Sequence, residues 1–258
     1  MPDAPPPISV QLYSLREQVA ADFPAVLARL GAKGYAGVEL AGFGDLTAAQ
    51  LADALSRAGL VLSSAHVGYA RPDEFAAALD DHRALGCDTA VVPAMRADGF
   101  EDLDAVHKTA DRINRLVDVA RERGMTLGYH NHWWELQNKI GDRTAFEVFA
   151  DLLDPAVQLE VDLYWATAGG ADLVELLRRL VDRVVAVHVK DGPMRPGISA
   201  RELPNDQQPA GQGDVPLAAV LTADDLSIPY AVLEFDHYEG DVFDGLAQGY
   251  TWLKQTLA

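Results

Sequence analysis

Six short apolar runs in this chain end in side chains that bind metal ions or move protons. Glu39 closes the first of them, His66 the next, and His130 with His132 a third. Asp162, His188 with Lys190, and Glu234 with Asp236 close the remaining three. Taken singly, each has an ordinary explanation, since a buried histidine is most often a hydrogen-bonded core residue. Taken together, imidazoles and carboxylates form the donor set of a divalent ion such as Mn²⁺, Co²⁺, Zn²⁺ or Mg²⁺. Trp133, Trp134 and Trp165 follow these positions closely. Aromatic rings there either wall water away from a sugar ring or pack in the core. His237 follows the last run, while His82 and His107 fall within helical stretches and read as surface residues.

The elements that must position these groups are legible from Val157 to Asp191. An apolar run, Val157–Leu163, carries Glu160 and Asp162 at alternate positions and leads into a Gly-Gly turn. Leu173, Leu176, Leu177 and Leu180 then share one face at helical spacing, and a second apolar run, Val184–Val189, follows. That is a strand, a helix and a strand with the length of a right-handed parallel crossover. Strands buried on both faces tolerate polar side chains only where these are paired or bind an ion, and parallel α/β folds collect them at the C-terminal strand ends.

The same alternation runs through the chain. Strands are predicted at Ile8–Tyr13, Tyr35–Leu40, Leu60–Val67, Thr89–Pro93, Met125–His132 and Tyr230–Phe235, in addition to the two above. Helices are predicted between them. One starts at Asp22-Phe-Pro and ends in Gly31–Gly34, and others begin at the capping boxes Thr47–Gln50 and Thr144–Glu147. A long one carries Leu103, Val106, Ala110, Ile113, Val117 and Ala120 as a stripe. Asp191–Asp214 has no periodicity and is rich in Pro, Gly, Asn and Gln, which predicts a long loop acting as a lid or as a contact in a homo-oligomer. Eight strands alternating with eight helices predict a single-domain (β/α)8 TIM barrel over residues 1–258, with 1–7 a flexible lead. A doubly wound sheet is disfavoured because Gln11–Glu17 contains no glycine for a dinucleotide fingerprint.

Composition narrows the function. The formal charge of −18, from 39 acids against 21 bases, repels phosphate backbones and anionic lipid, so neither nucleic acid nor membrane is an expected partner. The single cysteine, Cys87, lies beside an apolar run and reads as a buried, inert thiol. MPDAPPP lacks the pattern of a signal peptide, no apolar run reaches spanning length, and a cytoplasmic protein is expected. Phosphate recognition has no Gly-rich loop to rest on, only scattered Arg71, Lys190 and Arg195.

The motifs VQLYSLRE (10–17), GVEL (37–40), GYHNHWWEL (128–136), EVDLYW (160–165), HVKDG (188–192), GQGDVP (211–216) and LEFDHYEG (233–240) resemble the xylose isomerase-like barrels. That family includes ketose 3-epimerases, hydroxypyruvate isomerases, inosose dehydratases and inosose isomerases. The resemblance implies a divalent metal held by residues of the fifth to eighth strands, here Asp162, His188 and Glu234 by direct motif match. Epimerases of the family carry a glutamate on the fifth strand as both ligand and acid/base. His130 stands there in this chain, with Glu135 five residues later, as in a YHNH-type subgroup. An imidazole bound to metal cannot take a substrate proton, so the two-glutamate mechanism does not carry over whole.

The resulting expectation is a metal-dependent isomerase or epimerase of a ketose-like sugar or keto-cyclitol, working through an enediolate. Glu234 is the expected base, and Glu135 or Lys190 returns the proton or polarises the carbonyl. Glu39, His66, His132 and Trp165 are expected to position hydroxyls and the ring face. An inosose or 3-keto-sugar dehydratase uses nearly the same parts, because the enediolate can instead expel a β-hydroxyl. The endonuclease of the same fold is disfavoured by the charge of −18. A sugar-binding barrel without chemistry is the remote alternative.

Overall fold

Eight parallel strands follow one another around a closed ring in the order of the chain. They are β1 (Ile8–Gln11), β2 (Gly37–Leu40), β3 (Val61–His66) and β4 (Thr89–Val92). The second half comprises β5 (Thr126–His130), β6 (Gln158–Asp162), β7 (Val184–Val189) and β8 (Ala231–Leu233). β8 pairs with β1 and closes the barrel. The structure is a computed structural model that describes residues 5–68, 72–194 and 206–258. Residues 1–4 of the proline-rich lead, residues 69–71 with Arg71, and residues 195–205 of the long loop, Arg195 among them, lie outside it.

Ten helices are described where eight are expected: α1 (Arg16–Lys33), α2 (Ala48–Ala58), α3 (Pro72–Ala84), α4 (Leu103–Arg121), α5 (Trp133–Gln137), α6 (Ala145–Leu152), α7 (Leu163–Ala168), α8 (Leu173–Leu180), α9 (Leu217–Leu221) and α10 (Val242–Thr256). The two additions, α5 and α7, are single short helices; α7 starts directly after β6, and α5 starts two residues after β5. The sequence pattern ends its fifth strand at His132, just before α5, and counts Leu163, the first residue of α7, in the run Val157–Leu163. α1 begins earlier than Asp22-Phe-Pro suggests. It kinks at Asp22, whose extended backbone and Oδ1, which accepts from Ala25 N at 3.0 Å, restart the helix as an internal N-cap. Gly34 ends α1 at φ 101°, a left-handed conformation that glycine adopts without steric cost. Gly31 has a different reason, since a Cβ there would collide with the Ala58 carbonyl at the end of α2.

Both capping boxes form as expected, at Thr47/Gln50 and Thr144/Glu147. The apolar face of α8 is wholly buried through Leu173, Leu176, Leu177 and Leu180. At about 1.5–3 kcal/mol for each buried leucine, that stripe far outweighs the helix's own propensity. Two expectations fail. Leu103 is 47% exposed, because it is the first residue of α4 and its turn lies past the covered stripe. His82 is buried rather than superficial: its ring packs edge-on to Phe43 and its Nδ1 lies 2.7 Å from the Ala78 carbonyl oxygen. His107 is exposed and Cys87 buried, as expected.

The long connection after β7 has a tied neck. Asp191 bridges to Gln208, and its carboxylate accepts from the backbone N–H groups of Gly192, Val215 and Gly211 at 2.8–3.1 Å. No described helix is long and apolar enough to cross a membrane.

Candidate active site

Strand register decides which polar groups meet. Across the barrel ladder His130 lies opposite Glu160, Asp162 opposite His188, and Glu39 between Gln11 and Ser64. Side chains two residues apart on a strand share a face, so Glu160 sits one step deeper than Asp162 beneath the C-terminal rim.

The deeper layer is a hydrogen-bond network centred on Glu39 and on Oε2 of Glu160. Glu160 Oε2 lies 2.7 Å from His66 Nε2, 3.1 Å from His130 Nδ1 and 3.1 Å from His188 Nε2. Glu39 accepts from Gln11 Nε2 at 2.8 Å and from Ser64 Oγ at 2.7 Å, and its Oε2 is 2.6 Å from His188 Nε2. Burial pushes Glu160 up, yet the positive fields of His188 and His66 and the imidazole hydrogen bonds hold it well below the usual carboxylate range. Burial and the charge of Glu160 raise the neighbouring Glu39. Burial drives His130 down to about 3, so its ring is neutral and donates from Nδ1 to Glu160. Nε2 is then left with a free lone pair.

The outer layer faces a cavity of about 410 Å³ lined by His66, His130, His132, Lys190, Glu234 and Asp236, with Tyr13 among the residues around them. Lys190 Nζ sits 2.7 Å from Glu234 Oε2, 2.9 Å from Asp162 Oδ2 and 2.9 Å from Asp236 Oδ2. Burial would lower this ammonium, but Asp162, Asp236 and Glu234 raise it well above its ordinary range. Burial likewise works to raise Glu234, and Lys190 and His188 overcome it, so the carboxylate stays ionised. Burial lifts Asp162 to about 6 against the pull of Lys190 and His188.

Asp162, His188 and Glu234 bring one donor atom each within 4.8 Å of the others. His188 Nδ1 is 2.7 Å from Glu234 Oε2 and 4.0 Å from Asp162 Oδ2, and His130 Nε2 stands 3.7 Å from Asp162 Oδ2. His188 engages Glu39 and Glu160 through Nε2, which makes those acids its orienting partners, and an ion would take Nδ1 in place of its present hydrogen bond with Glu234 Oε2. Asp162 Oδ1 is taken by the Trp165 N–H at 2.8 Å, while buried Oδ2 has no hydrogen-bond partner among the described residues. Its contact with Lys190 is an ion pair off the hydrogen-bond direction. Two carboxylates, one imidazole and an adjacent neutral imidazole fit a borderline divalent ion. A second set, His66, His130, Glu160 and His188, is also close enough. There Glu160 Oε2 already fills the centre at hydrogen-bond distances, so the outer set is the more open candidate for an ion.

Of the residues expected from sequence, Glu234, Lys190, His130, His66 and His132 line the cavity, and Asp162 and His188 are fully buried beside them. Glu39 lies deeper, on His188. Trp165 is buried against His132, at 6.2 Å between rings, and beneath Lys190, at 5.7 Å. Glu135 stands apart from the cavity-lining groups. It accepts from Tyr129 Oη at 2.8 Å and from His132 N at 3.0 Å, and burial raises it to about 8. His132 is stacked on Trp134 at 4.5 Å, and burial, with His130 and Lys190 adding to it, holds its imidazole well below the usual range. Glu160, Gln11, Ser64 and Gln207 carry roles that sequence reading did not assign. The alternation Glu160-Val-Asp162 is the one signal that pointed to Glu160.

Comparison with known proteins agrees with the barrel fold. An inosose dehydratase of Clostridium perfringens is 30% identical over 135 residues, 51% of this chain, which spans 43% of that relative's length. A sugar phosphate isomerase/epimerase from Parabacteroides distasonis superposes with a TM-score of 0.78 at 23% identity, covering 98% of this chain and 95% of that one. The IOLI protein, solved with a bound zinc atom, has a TM-score of 0.72 at 14% identity over 97% of this chain and 98% of its own. The profile of the xylose isomerase-like TIM barrel matches residues 24–256, so the chain belongs to the xylose isomerase-like TIM barrel family.

Proposed function

We infer that the protein is a divalent-metal-dependent enzyme that removes a proton next to the carbonyl of a keto-cyclitol or keto-sugar and then expels a β-hydroxyl as water. The observation that carries this reading is the pair Glu234 and Lys190, a carboxylate and an ammonium 2.7 Å apart on the same cavity wall. Asp162, His188 Nδ1 and Glu234 would hold the ion, with His130 Nε2 adjacent. When bound, such an ion polarises the carbonyl oxygen and acidifies the neighbouring C–H.

The chain's own residues account for the proton traffic. Glu234, kept ionised, takes the α-proton, and the C–H electron pair becomes the enolate double bond of the substrate. As the carbonyl re-forms, the C–O bond to the β-hydroxyl breaks, and Lys190 supplies the proton with which it leaves as water. The product is an α,β-unsaturated ketone. Glu234 then returns its proton to Lys190 across their contact, and the pair is reset without solvent. His132 and His66 offer ring nitrogens to substrate hydroxyls, and Trp134 with Trp165 backs His132. Glu135 stands off the cavity, so a pair of carboxylates on opposite substrate faces is not what this arrangement favours. The inosose dehydratase relative supports the same choice.

A second reading, isomerase or epimerase, has one observation in its favour. Neutral His132 lines the cavity with Nδ1 unpartnered among the described residues, and so provides another proton carrier. Incubation with Mn²⁺ and a panel of inososes and keto-sugars in D₂O decides between the two. An absorbing enone with loss of water is expected; deuterium incorporated into an isomeric ketone, without water loss, overturns dehydration in favour of isomerisation. A small keto-sugar or cyclitol is the proposed partner, with the cytoplasm as the proposed compartment.

A further inference from the structure

Among the described residues lining the cavity, Lys190 is the one permanent cation, and it occupies an unusual place. Its ammonium touches Glu234 Oε2 at 2.7 Å and Asp162 Oδ2 at 2.9 Å. These are the oxygens that lie nearest His188 Nδ1, at 2.7 and 4.0 Å, so Asp162 and Glu234 turn the same atoms toward the ammonium as toward an ion. The third contact is different in kind. Asp236 Oδ2, 2.9 Å from Nζ, belongs to no ligand set, and Gln207 fixes it from behind. Gln207 Nε2 donates to Asp236 Oδ2 at 3.0 Å, and Gln207 Oε1 accepts from the backbone N–H groups of Asp236 and His237 at 2.8 and 3.2 Å. Gln207 is itself buried, 3% exposed. The ammonium therefore has a rigid seat beside the ligand oxygens and cannot drift away when a second cation arrives.

We propose that Lys190 is a built-in competitor of the metal: its charge holds Asp162 and Glu234 together when no ion is bound and weakens the ion's affinity when one is. This rests on the outer set being the metal site. Like charges a few ångströms apart in a low-dielectric cavity repel strongly, and the second charge of the ion doubles the effect. Removing a residue that touches two ligands ordinarily weakens metal binding. Here removal strengthens it, and that sign separates the proposal from a plain supporting role.

The test is Mn²⁺ titration of the full chain after chelator treatment, with free Mn²⁺ followed by electron paramagnetic resonance. Lys190→Met and Lys190→Gln are expected to bind at least about tenfold tighter than wild type, whereas Lys190→Arg, which keeps the charge, gains nothing. Unchanged or weaker binding in the neutral variants overturns the proposal while leaving the metal site standing, as does a gain in Lys190→Arg equal to theirs. No saturable binding in any of the four proteins overturns both the proposal and the metal-site assignment. Should the neutral variants fail to fold alone, refolding in Mn²⁺ is expected to rescue them, and failure of that rescue counts against the proposal.

Discussion

The two polar layers of this barrel are built from the same residue types and solve the cost of burial differently. In the deeper layer, Glu39 and Oε2 of Glu160 meet neutral and cationic donors on five other side chains, Gln11, Ser64, His66, His130 and His188, while Glu160 Oε1 has no hydrogen-bond partner among the described residues. In the outer layer, Asp162, Glu234 and Asp236 converge on one ammonium. A buried charge needs partners, and a network that meets most of its needs through many separate donors is rigid. A cluster of three acids leaning on one ammonium and the edge of one imidazole retains capacity for another cation. The deep layer is a frame, and the outer layer is where a ligand changes the electrostatics.

Breaking the outer layer at its base has the largest expected effect. Glu234→Gln keeps the shape and an oxygen donor but removes basicity, so α-proton exchange should fall by about 10²–10⁴ while metal binding is partly retained. Exchange at the wild-type rate with metal bound would move the base elsewhere, with Glu135 as first suspect.

Breaking the frame should register as stability. Glu160→Ala strips His66 and His130 of their common acceptor and is expected to cost about 3 kcal/mol in urea unfolding. It should also lower metal affinity by about 10–100-fold, since His130 and His188 lose their orienting partner. A variant with unchanged unfolding midpoint and metal affinity would mean that the frame does not depend on Glu160.

Glu135 sharpens the contrast, because it belongs to neither layer. Burial pushes its carboxyl up to about 8 in the fold, from the ordinary 4.5 of an exposed glutamate. The folded protein therefore holds that proton more tightly, and the stabilisation is complete below pH 4.5 and lost as pH rises toward 8. Glu135→Gln keeps acceptance from His132 N and a partner for Tyr129 Oη. Measured without metal, it should be more stable than wild type by on the order of 2 kcal/mol at pH 8, and by far less at pH 5. An advantage independent of pH would contradict the burial-driven shift.

The smallest effect concerns the ion. Because Lys190, together with His188, already pairs the outer carboxylates without an ion, adding a chelator should lower the melting temperature of the wild-type chain by only a few degrees, equivalent to about 1 kcal/mol. A loss comparable with global unfolding would make the metal structural.

Much of this was open to reading in the chain alone. The alternation of apolar runs with helical stripes specifies a barrel, because each strand buries both faces and each helix one, and the Thr47/Gln50 and Thr144/Glu147 boxes mark helix starts by local chemistry. The identities Asp162, His188 and Glu234 were likewise visible, since polar groups at the ends of apolar runs need a partner wherever the runs converge. What the sequence could not decide is depth and partner. Glu160 and Asp162 differ by one step along β6, yet one is the hub of three imidazoles and the other a candidate ligand, because register sets Glu160 against His130 and Asp162 against His188. Glu135 looks like an acid beside the site in sequence, but the turn into α5 directs it onto Tyr129 and away from the cavity. Gln207, 29 residues from Asp236, meets it only because the neck of the loop folds back to the barrel rim. Local sequence determines which side chains stand at the strand ends, through periodicity and capping. Contacts between strands that are distant in the chain depend on closure of the ring, so only the tertiary structure decides which acid meets which base.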